Sequence, residues 1–168
     1  MLRTEGFDRV RVAGPRDEEE IMDAVRRMHD DNEWALLDAT GRALSLSEDR
    51  VRTTLSRALF PVKGVAPAWI GIIGEPGRLE SSIYLSLETP WCSDEPFLAE
   101  IWAYTLHMYR RSDNAAALIQ FSKAIAQMLK VPLAVGVATA PQSAAKSRLL
   151  QRALGAPVGS LFLYQGAA

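Results

Sequence analysis

Apolar and polar positions alternate and then recur at helical spacing in a readable order along the chain. Residues 7–13 alternate, with Val10 and Val12 set between Arg9 and Arg11, which predicts a first strand. Pro15-Arg16-Asp17 then opens a helix whose first turn carries Asp17, Glu18, Glu19 and Glu20, at the end where the helix dipole favours acids. Its apolar stripe is Ile21, Val25 and Met28, and it ends near His29-Asp30-Asp31-Asn32. Past a loop containing Gly41, Ser45 and Glu48 have capping-box spacing. Val51, Leu55, Ala58 and Leu59 continue as a second helix that Pro61 stops.

From there the period shortens. Residues 69–73 form a short apolar strand, and Glu75-Pro76-Gly77 reads as a hairpin turn. Ile83, Leu85 and Leu87 alternate with Ser82, Tyr84, Ser86 and Glu88, the period of a half-buried strand, and residues 98–108 predict a long strand. Leu118, Phe121, Ile125, Met128 and Leu129 mark a helix over 113–130 that Pro132 closes. Residues 133–137 are continuously apolar, as in a strand buried on both faces. A helix over 142–154 turns Leu149 and Ala153 inward and Lys146, Arg148 and Arg152 outward, and 158–164 is a last strand. The order β-α-α-β-β-β-α-β-α-β predicts an α/β domain: a mixed, mostly antiparallel sheet with a parallel pair in its second half.

Composition narrows the function. A chain of 168 residues suits one domain spanning 1–168. Nineteen Lys and Arg against 20 Asp and Glu argue against a dedicated duplex-DNA binder, whose affinity comes from neutralising phosphates. Cys92 is the one cysteine and His29 and His107 the only histidines, so no disulfide or metal site is expected. The start is interrupted by charge, and the apolar stretches 66–74 and 131–140 are too short to cross a bilayer as helices. A cytoplasmic protein with no membrane partner is therefore expected.

Candidate chemistry concentrates where the long strand runs through Leu106-His107-Met108-Tyr109-Arg110-Arg111-Ser112-Asp113-Asn114-Ala115-Ala116 into a helix. Open backbone N–H groups at a helix start, together with the dipole, bind anions. Ala115 and Ala116 let a phosphate approach the backbone, and Arg110 and Arg111 add positive charge. A solvated basic turn before a core helix accounts for the same residues. Neither GxxxxGK[ST] nor GxGxxG occurs, so nucleoside-triphosphate and dinucleotide sites lack their loops.

The loop resembles that of the GNAT superfamily of acyl-CoA-dependent N-acyltransferases, which carries Arg/Gln-x-x-Gly-x-Gly/Ala between its fourth strand and the next helix. Arg111 and Ala116 match in register, while Asn114 stands where Gly is usual. More narrowly, three segments are similar to GNAT proteins of tailed phages and prophages: Tyr109-Arg110-Arg111-Ser112, Val131-Pro132-Leu133-Ala134-Val135-Gly136-Val137, and Pro157-Val158-Gly159-Ser160-Leu161-Phe162-Leu163-Tyr164.

The resemblance implies a GNAT fold with helices on both faces and a cleft where two parallel neighbours splay apart. It implies acetyl-CoA or a related acyl-CoA as donor, an amine-bearing small molecule or protein as acceptor, and a homodimer. Pantetheine would lie along Tyr104, Thr105 and Leu106, with the Leu106 backbone polarising the thioester. The diphosphate would rest on the loop Arg110, Arg111, Ser112, Asp113, Asn114, Ala115 and Ala116. His29 and Asn32 would border the acceptor, unless they simply end their helix.

Glu100 is the expected general base, since an amine with a pKa near ~10.4 must lose a proton before it attacks. Strand alternation puts Glu100 on one face with Trp102 and Tyr104, which would desolvate it; pairing with an arginine is the plainer role. His107, at the strand end, suits a positioning role. Asp94 and Glu95, beside Trp91 and Cys92, suit either a cationic acceptor or a solvated turn, and Cys92 lacks an activating base. The family's usual thiolate-protonating tyrosine is Leu150 here. That departure leaves two other readings open: a non-catalytic acyl-CoA-binding protein, and a nucleic-acid-modifying relative using Arg110, Arg111, Arg148 and Arg152.

Overall fold

The computed structural model describes residues 9–31, 44–137 and 143–159. Five strands form one sheet in chain order: β1 (Arg11–Val12), β2 (Ala68–Glu75), β3 (Arg78–Glu88), β4 (Phe97–Thr105) and β5 (Leu133–Ala134). All neighbours pair antiparallel except β4 and β5, which are parallel. The helices are α1 (Glu18–Asp30), α2 (Glu48–Leu59), α3 (Asn114–Leu129) and α4 (Ser143–Leu154).

Two cores explain the layering. On one face Ile21, Met22, Val25 and Met28 of α1 and Leu55 and Leu59 of α2 pack on Ile70, Ile72, Tyr84, Trp102 and Tyr104. On the other, Leu118, Phe121 and Ile125 of α3 pack on Val10, Ile73, Ile83, Leu85 and Leu98. The helix stripes read from periodicity are the ones buried. β3 lies under helices on both sides, so it is not half-buried as its alternation predicts: Ser81, Ser82 and Ser86 are buried along with Ile83, Tyr84 and Leu85. These hydroxyls find partners; Ser82 Oγ accepts from Trp102 Nε1 at 3.3 Å and Ser86 Oγ donates to Glu88 at 2.6 Å.

Close backbone approach matters at Gly71 of β2, where a Cβ would lie 2.7 Å from the Phe121 ring. A side chain there would push α3 off the sheet. The hairpin turn falls at Pro76-Gly77 as expected, with Gly77 at φ 83°.

Several boundaries differ from the sequence expectations. The first strand is ordered as a strand only at Arg11–Val12, and Phe7 lies outside the described residues. Ser45 does not cap α2; Ser47 holds that position without a side-chain cap bond, and Glu48 instead takes Arg26 through 2.8 and 2.9 Å bonds. Pro61 stops α2 as expected, because it excludes Phe60 from helical backbone. The long strand ends at Thr105, and His107–Tyr109 is a short 3-10 turn. The strand expected over 133–137 keeps sheet bonds only at Leu133–Ala134 and is not buried on both faces. Val158 and Gly159 form no strand, and 160–164 lie outside the described residues.

Asp17 is not a solvated first-turn acid. Its side chain is 3% exposed and takes both terminal nitrogens of Arg11, at 2.8 and 2.9 Å, plus the Gly14 N–H at 2.8 Å. This clasp ties β1 to the start of α1. Burial pushes the Asp17 carboxyl up, but the hydrogen bonds from Arg11 and Gly14 outweigh it and hold the group below its ordinary value. A lowered folded value means the stabilisation is complete above the unfolded pKa near ~3.9 and is lost as pH falls through the folded one. Asp17→Asn should therefore cost about 3 kcal/mol at neutral pH, measured by urea unfolding, and the gap to the wild type should close in acid below about pH 4.

Candidate active site

The parallel pair parts almost at once. β4 and β5 are matched only at Leu98↔Leu133 and Ala99↔Ala134, supported by Leu98 N–H on the Pro132 carbonyl at 2.8 Å. Past Ala99 the outer edge of β4 has no strand neighbour among the described residues. An antiparallel strand points its backbone groups alternately to its partner and away. Leu106 N–H bonds the Glu80 carbonyl at 2.9 Å, so Thr105 and Ala103 carry the groups that face outward. The Leu106 N–H expected to polarise a thioester is thus already committed.

β4 also contains a bulge. Tyr84 pairs with Trp102 and Leu85 with Glu100, leaving Ile101 as the extra residue. The bulge reverses alternation, so Trp102 and Tyr104 belong to the α1/α2 core, while Leu98 and Ala103 belong to the α3 side. Glu100 therefore does not share a face with Trp102 and Tyr104. It looks toward α3 and α4, into a cavity of about 190 Å³ that runs from Arg110, Ser112 and Ala115 past Thr105 and Ala103 to Lys146, Leu149 and Leu150.

At the inner end Lys146 Nζ donates to Glu100 Oε1 at 2.6 Å, with the two side chains 22% and 5% exposed. Burial pushes the Glu100 carboxyl up; the Lys146 charge and hydrogen bond oppose this without cancelling it. Lys146 points inward, contrary to the expectation. The signal was present, since 146, 149, 150 and 153 are spaced as one helix face.

The outer end is the start of α3. The first intrahelical bond runs from Ala117 N–H to the Asp113 carbonyl at 3.0 Å, so the N–H groups of Ala115 and Ala116 precede the ladder. Asp113, at the capping position, makes no cap bond because its carboxylate pairs with Arg9, which holds its pKa down. Asn114 is buried and points away from the mouth: Arg9 donates to its Oδ1 at 2.9 Å, and its Nδ2 donates to Glu80 at 3.1 Å. Ser112 Oγ accepts the Asn114 N–H at 3.2 Å and donates to the Tyr109 carbonyl at 2.6 Å. Arg111 is exposed, and Arg110 bonds the Thr105 carbonyl at 3.4 Å. Of the loop, Arg110, Ser112 and Ala115 line one end of the cavity, while Asp113 and Asn114 turn to Arg9 and Arg111 is exposed.

Other expected residues sit elsewhere. Tyr104 lies on the opposite face, where its hydroxyl donates to Asp31 at 2.9 Å; burial and this acceptor push its pKa up. Asp31, at the end of α1, also stands 3.5 Å from Arg110 and was missed in the sequence because it looked like a helix terminator. His29 Nε2 donates to the Leu44 carbonyl at 2.9 Å, and Asn32 lies outside the described residues. Leu106 lines a second hollow, with Glu20, Asp23 and Arg27. Trp91, Cys92, Asp94 and Glu95 are exposed in the loop entering β4, at the end of that strand remote from the helix mouth. Among the described residues no cluster of His, Cys, Asp or Glu could hold a metal, and no helix is long and apolar enough to cross a membrane.

No family model matches the chain, and no curated protein matches its sequence. Solved structures do match its fold. An integron cassette protein from the mobile metagenome of Cole Harbour Salt Marsh aligns with TM-score 0.68 at 18% identity, covering 100% of this chain and 97% of that one. The aminoglycoside acetyltransferase AAC(6')-Iy, solved with a bisubstrate analogue, CoA-S-monomethyl-acetylneamine, aligns at 0.66 with 10% identity over 95% and 97%. A ribosomal-protein-alanine N-acetyltransferase from Brucella melitensis aligns at 0.63 with 14% identity over 94% and 99%. The fold is that of the GNAT acetyltransferases.

Asn114 tests the local construction of the loop. Asn114→Gly restores the glycine usual in the resembling motif, yet it strips Arg9 and Glu80 of their shared partner. A loss of roughly 1–3 kcal/mol in chemical denaturation is expected, with no gain in order at the helix start.

Proposed function

We propose that the chain is an acyl-CoA-dependent N-acyltransferase that moves an acyl group, acetyl in the simplest case, directly to a primary amine in a ternary complex. One observation carries this reading: β4 loses its parallel neighbour after Ala99, and the cavity that opens there runs from an uncapped helix start to a buried Glu100. The GNAT fold supports it, and AAC(6')-Iy has itself been solved with CoA.

In this reading the diphosphate accepts hydrogen bonds from Ala115 and Ala116 N–H, with Arg111 and Arg110 supplying charge. Ser112, Asp113 and Asn114 shape the turn. The pantetheine arm pairs with the outward backbone of Thr105 and Ala103, in place of Tyr104 and Leu106. At roughly 3.3 Å per residue, the five steps from Thr105 back to Glu100 span about 17 Å at most, comparable to an extended pantetheine arm. The thioester then lies near the Ile101 bulge. Backbone polarisation of its carbonyl falls to the bulge rather than to Leu106.

Glu100 takes the proton that the attacking nitrogen must lose. Burial raises its pKa, which makes it a better base than an ordinary surface carboxylate. The acceptor nitrogen has to reach Glu100 from the cavity side, since Asp31 and Tyr104 meet on the opposite face of the sheet. The acceptor itself is not encoded in the fold, since aminoglycoside and ribosomal-protein acetyltransferases share it. The phage likeness rests on sequence motifs alone.

Leu150 favours one second reading: it is buried in the cavity wall and offers no proton, which suits a protein that binds acyl-CoA without turnover. Calorimetry with acetyl-CoA and a thiol-release assay over a panel of primary amines separate the two. The enzyme reading expects binding and thiol release; binding alone selects the second reading, and no binding at high micromolar ligand removes both. Glu100→Gln should slow thiol release by about 10²-fold or more while acetyl-CoA affinity stays within threefold. In the wild type, kcat/KM should rise with pH through an acid limb above the usual carboxylate range near ~4.3.

A further inference from the structure

Acyl transfer has a second proton to manage, and the cavity holds a group suited to it. When the C–N bond forms and the C–S bond breaks, the electron pair leaves on sulfur. A thiolate with a conjugate acid near ~8.5 is poorly solvated in an apolar cavity. Leu149, Leu150, Leu118 and Ile119 supply the apolar walls there. The charged and titratable groups lining the cavity are Glu100 from β4, Tyr109 and Arg110 from the turn after it, and Lys146 from α4; α3 contributes Ala115, Leu118 and Ile119. Tyr109 and Arg110 belong to the end where α3 begins, so Lys146 is the cation beside Glu100.

Resting on the acyltransferase reading, we propose that Lys146 is a catalytic residue that receives the departing sulfur. It is aimed by its 2.6 Å bond to Glu100, and the pair passes one proton from the acceptor nitrogen to the thiol. Each atom is accounted for from the neutral amine onward, its ammonium proton having gone to solvent before attack. Glu100 accepts the proton released by the nitrogen as the C–N bond forms. Lys146 gives an Nζ proton to sulfur as the C–S bond breaks. Glu100 then returns its proton to Lys146 across their shared hydrogen bond, and the pair is as it began. The overall transfer runs from the acceptor nitrogen to the departing thiolate, with Glu100 and Lys146 as relay. It needs no solvent proton.

This assigns a role to a side chain that would otherwise be only a counter-ion. A buried carboxylate can be neutralised by any adjacent cation, but here the cation lines the same cavity as the carboxylate and the apolar wall that includes Leu150. Lys146 lies one helical turn before Leu150 on the same face of α4, so the cavity is supplied with a proton donor from the neighbouring turn.

The test needs no acceptor. Free CoA is bound to the intact protein, and the ultraviolet absorbance of its thiolate is followed against pH. Lys146→Met should raise the pKa of the bound thiol by at least one unit relative to the wild type, because Glu100 then faces sulfur without a counter-charge. Glu100→Gln should lower it, and Lys146→Arg should leave it near the wild-type value. Acetyl-CoA affinity by calorimetry should stay within threefold in each variant. Equal thiol pKa values in the wild type and Lys146→Met, with both binding CoA, overturn the role of Lys146 while leaving the acyltransferase reading intact. If Lys146→Met does not fold, an unshifted thiol in Glu100→Gln overturns it equally. A wild-type protein that binds neither CoA nor acetyl-CoA overturns the acyltransferase reading itself.

Discussion

An interior strand edge left without a strand neighbour among the described residues is the constraint on which the candidate site depends. Backbone N–H and C=O groups buried without partners are costly, and sheets normally satisfy them by continuing the ladder. Here the ladder stops after Leu98↔Leu133 and Ala99↔Ala134, although β4 continues to Thr105. The outward groups of Ala103 and Thr105 therefore face a cavity instead of a strand. Arg110 answers one of them, the Thr105 carbonyl. The remainder form a row of donors and acceptors with strand spacing. An extended, amide-bearing arm satisfies such a row better than scattered water does, and its length is set by how far β4 runs on alone.

The bulge at Ile101 decides what that arm meets. Without it, strict alternation from Leu98 would bury Glu100, Trp102 and Tyr104 together. With it, the aromatic pair turns to the α1/α2 core, where Tyr84 and Trp102 stack with centroids 4.8 Å apart. Glu100 is left on the other side with Lys146. One inserted residue separates the packing function of β4 from its proposed chemical function, so the carboxylate can be desolvated by aliphatic walls while the aromatics stabilise the opposite core.

Much of this was legible in the sequence, for physical reasons that differ by element. The four helices repeat their apolar residues at helical spacing and lie close to where that spacing predicts them, and the strand-loop-helix at 100–116 is present as β4, a short 3-10 turn and α3. The bulge was not legible, because no Gly or Pro marks Ile101 and its register depends on β3. The apolar run 133–137 looked like a buried strand because hydrophobicity alone carries no record of pairing, yet past Ala134 it leaves the sheet and none of its residues is fully buried. Lys146 was assigned outward by its charge although its spacing from Leu149, Leu150 and Ala153 placed it on the inner face. There, position carried more information than residue type.

Asn114 shows how a departure from a resembling motif is absorbed. Glycine at that position removes any side chain from the loop, so a larger residue must find a place to go. Asn114 does so by turning into the protein between Arg9 and Glu80. The same arginine draws off the Asp113 carboxylate. That second effect matters more for an anion site. An aspartate at the capping position would normally fold back onto the N–H groups of the next residues and occupy them. Its pairing with Arg9 keeps a negative charge near the helix start but off those donors, so the mouth stays open at Ala115 and Ala116. Cap removal costs a helix about 1 kcal/mol, an amount the Arg9 contacts with Asp113 and Asn114 can offset. The glycine is dispensable because one residue from β1's approach does two jobs: it anchors the amide that replaces it and restrains the carboxylate that would block it.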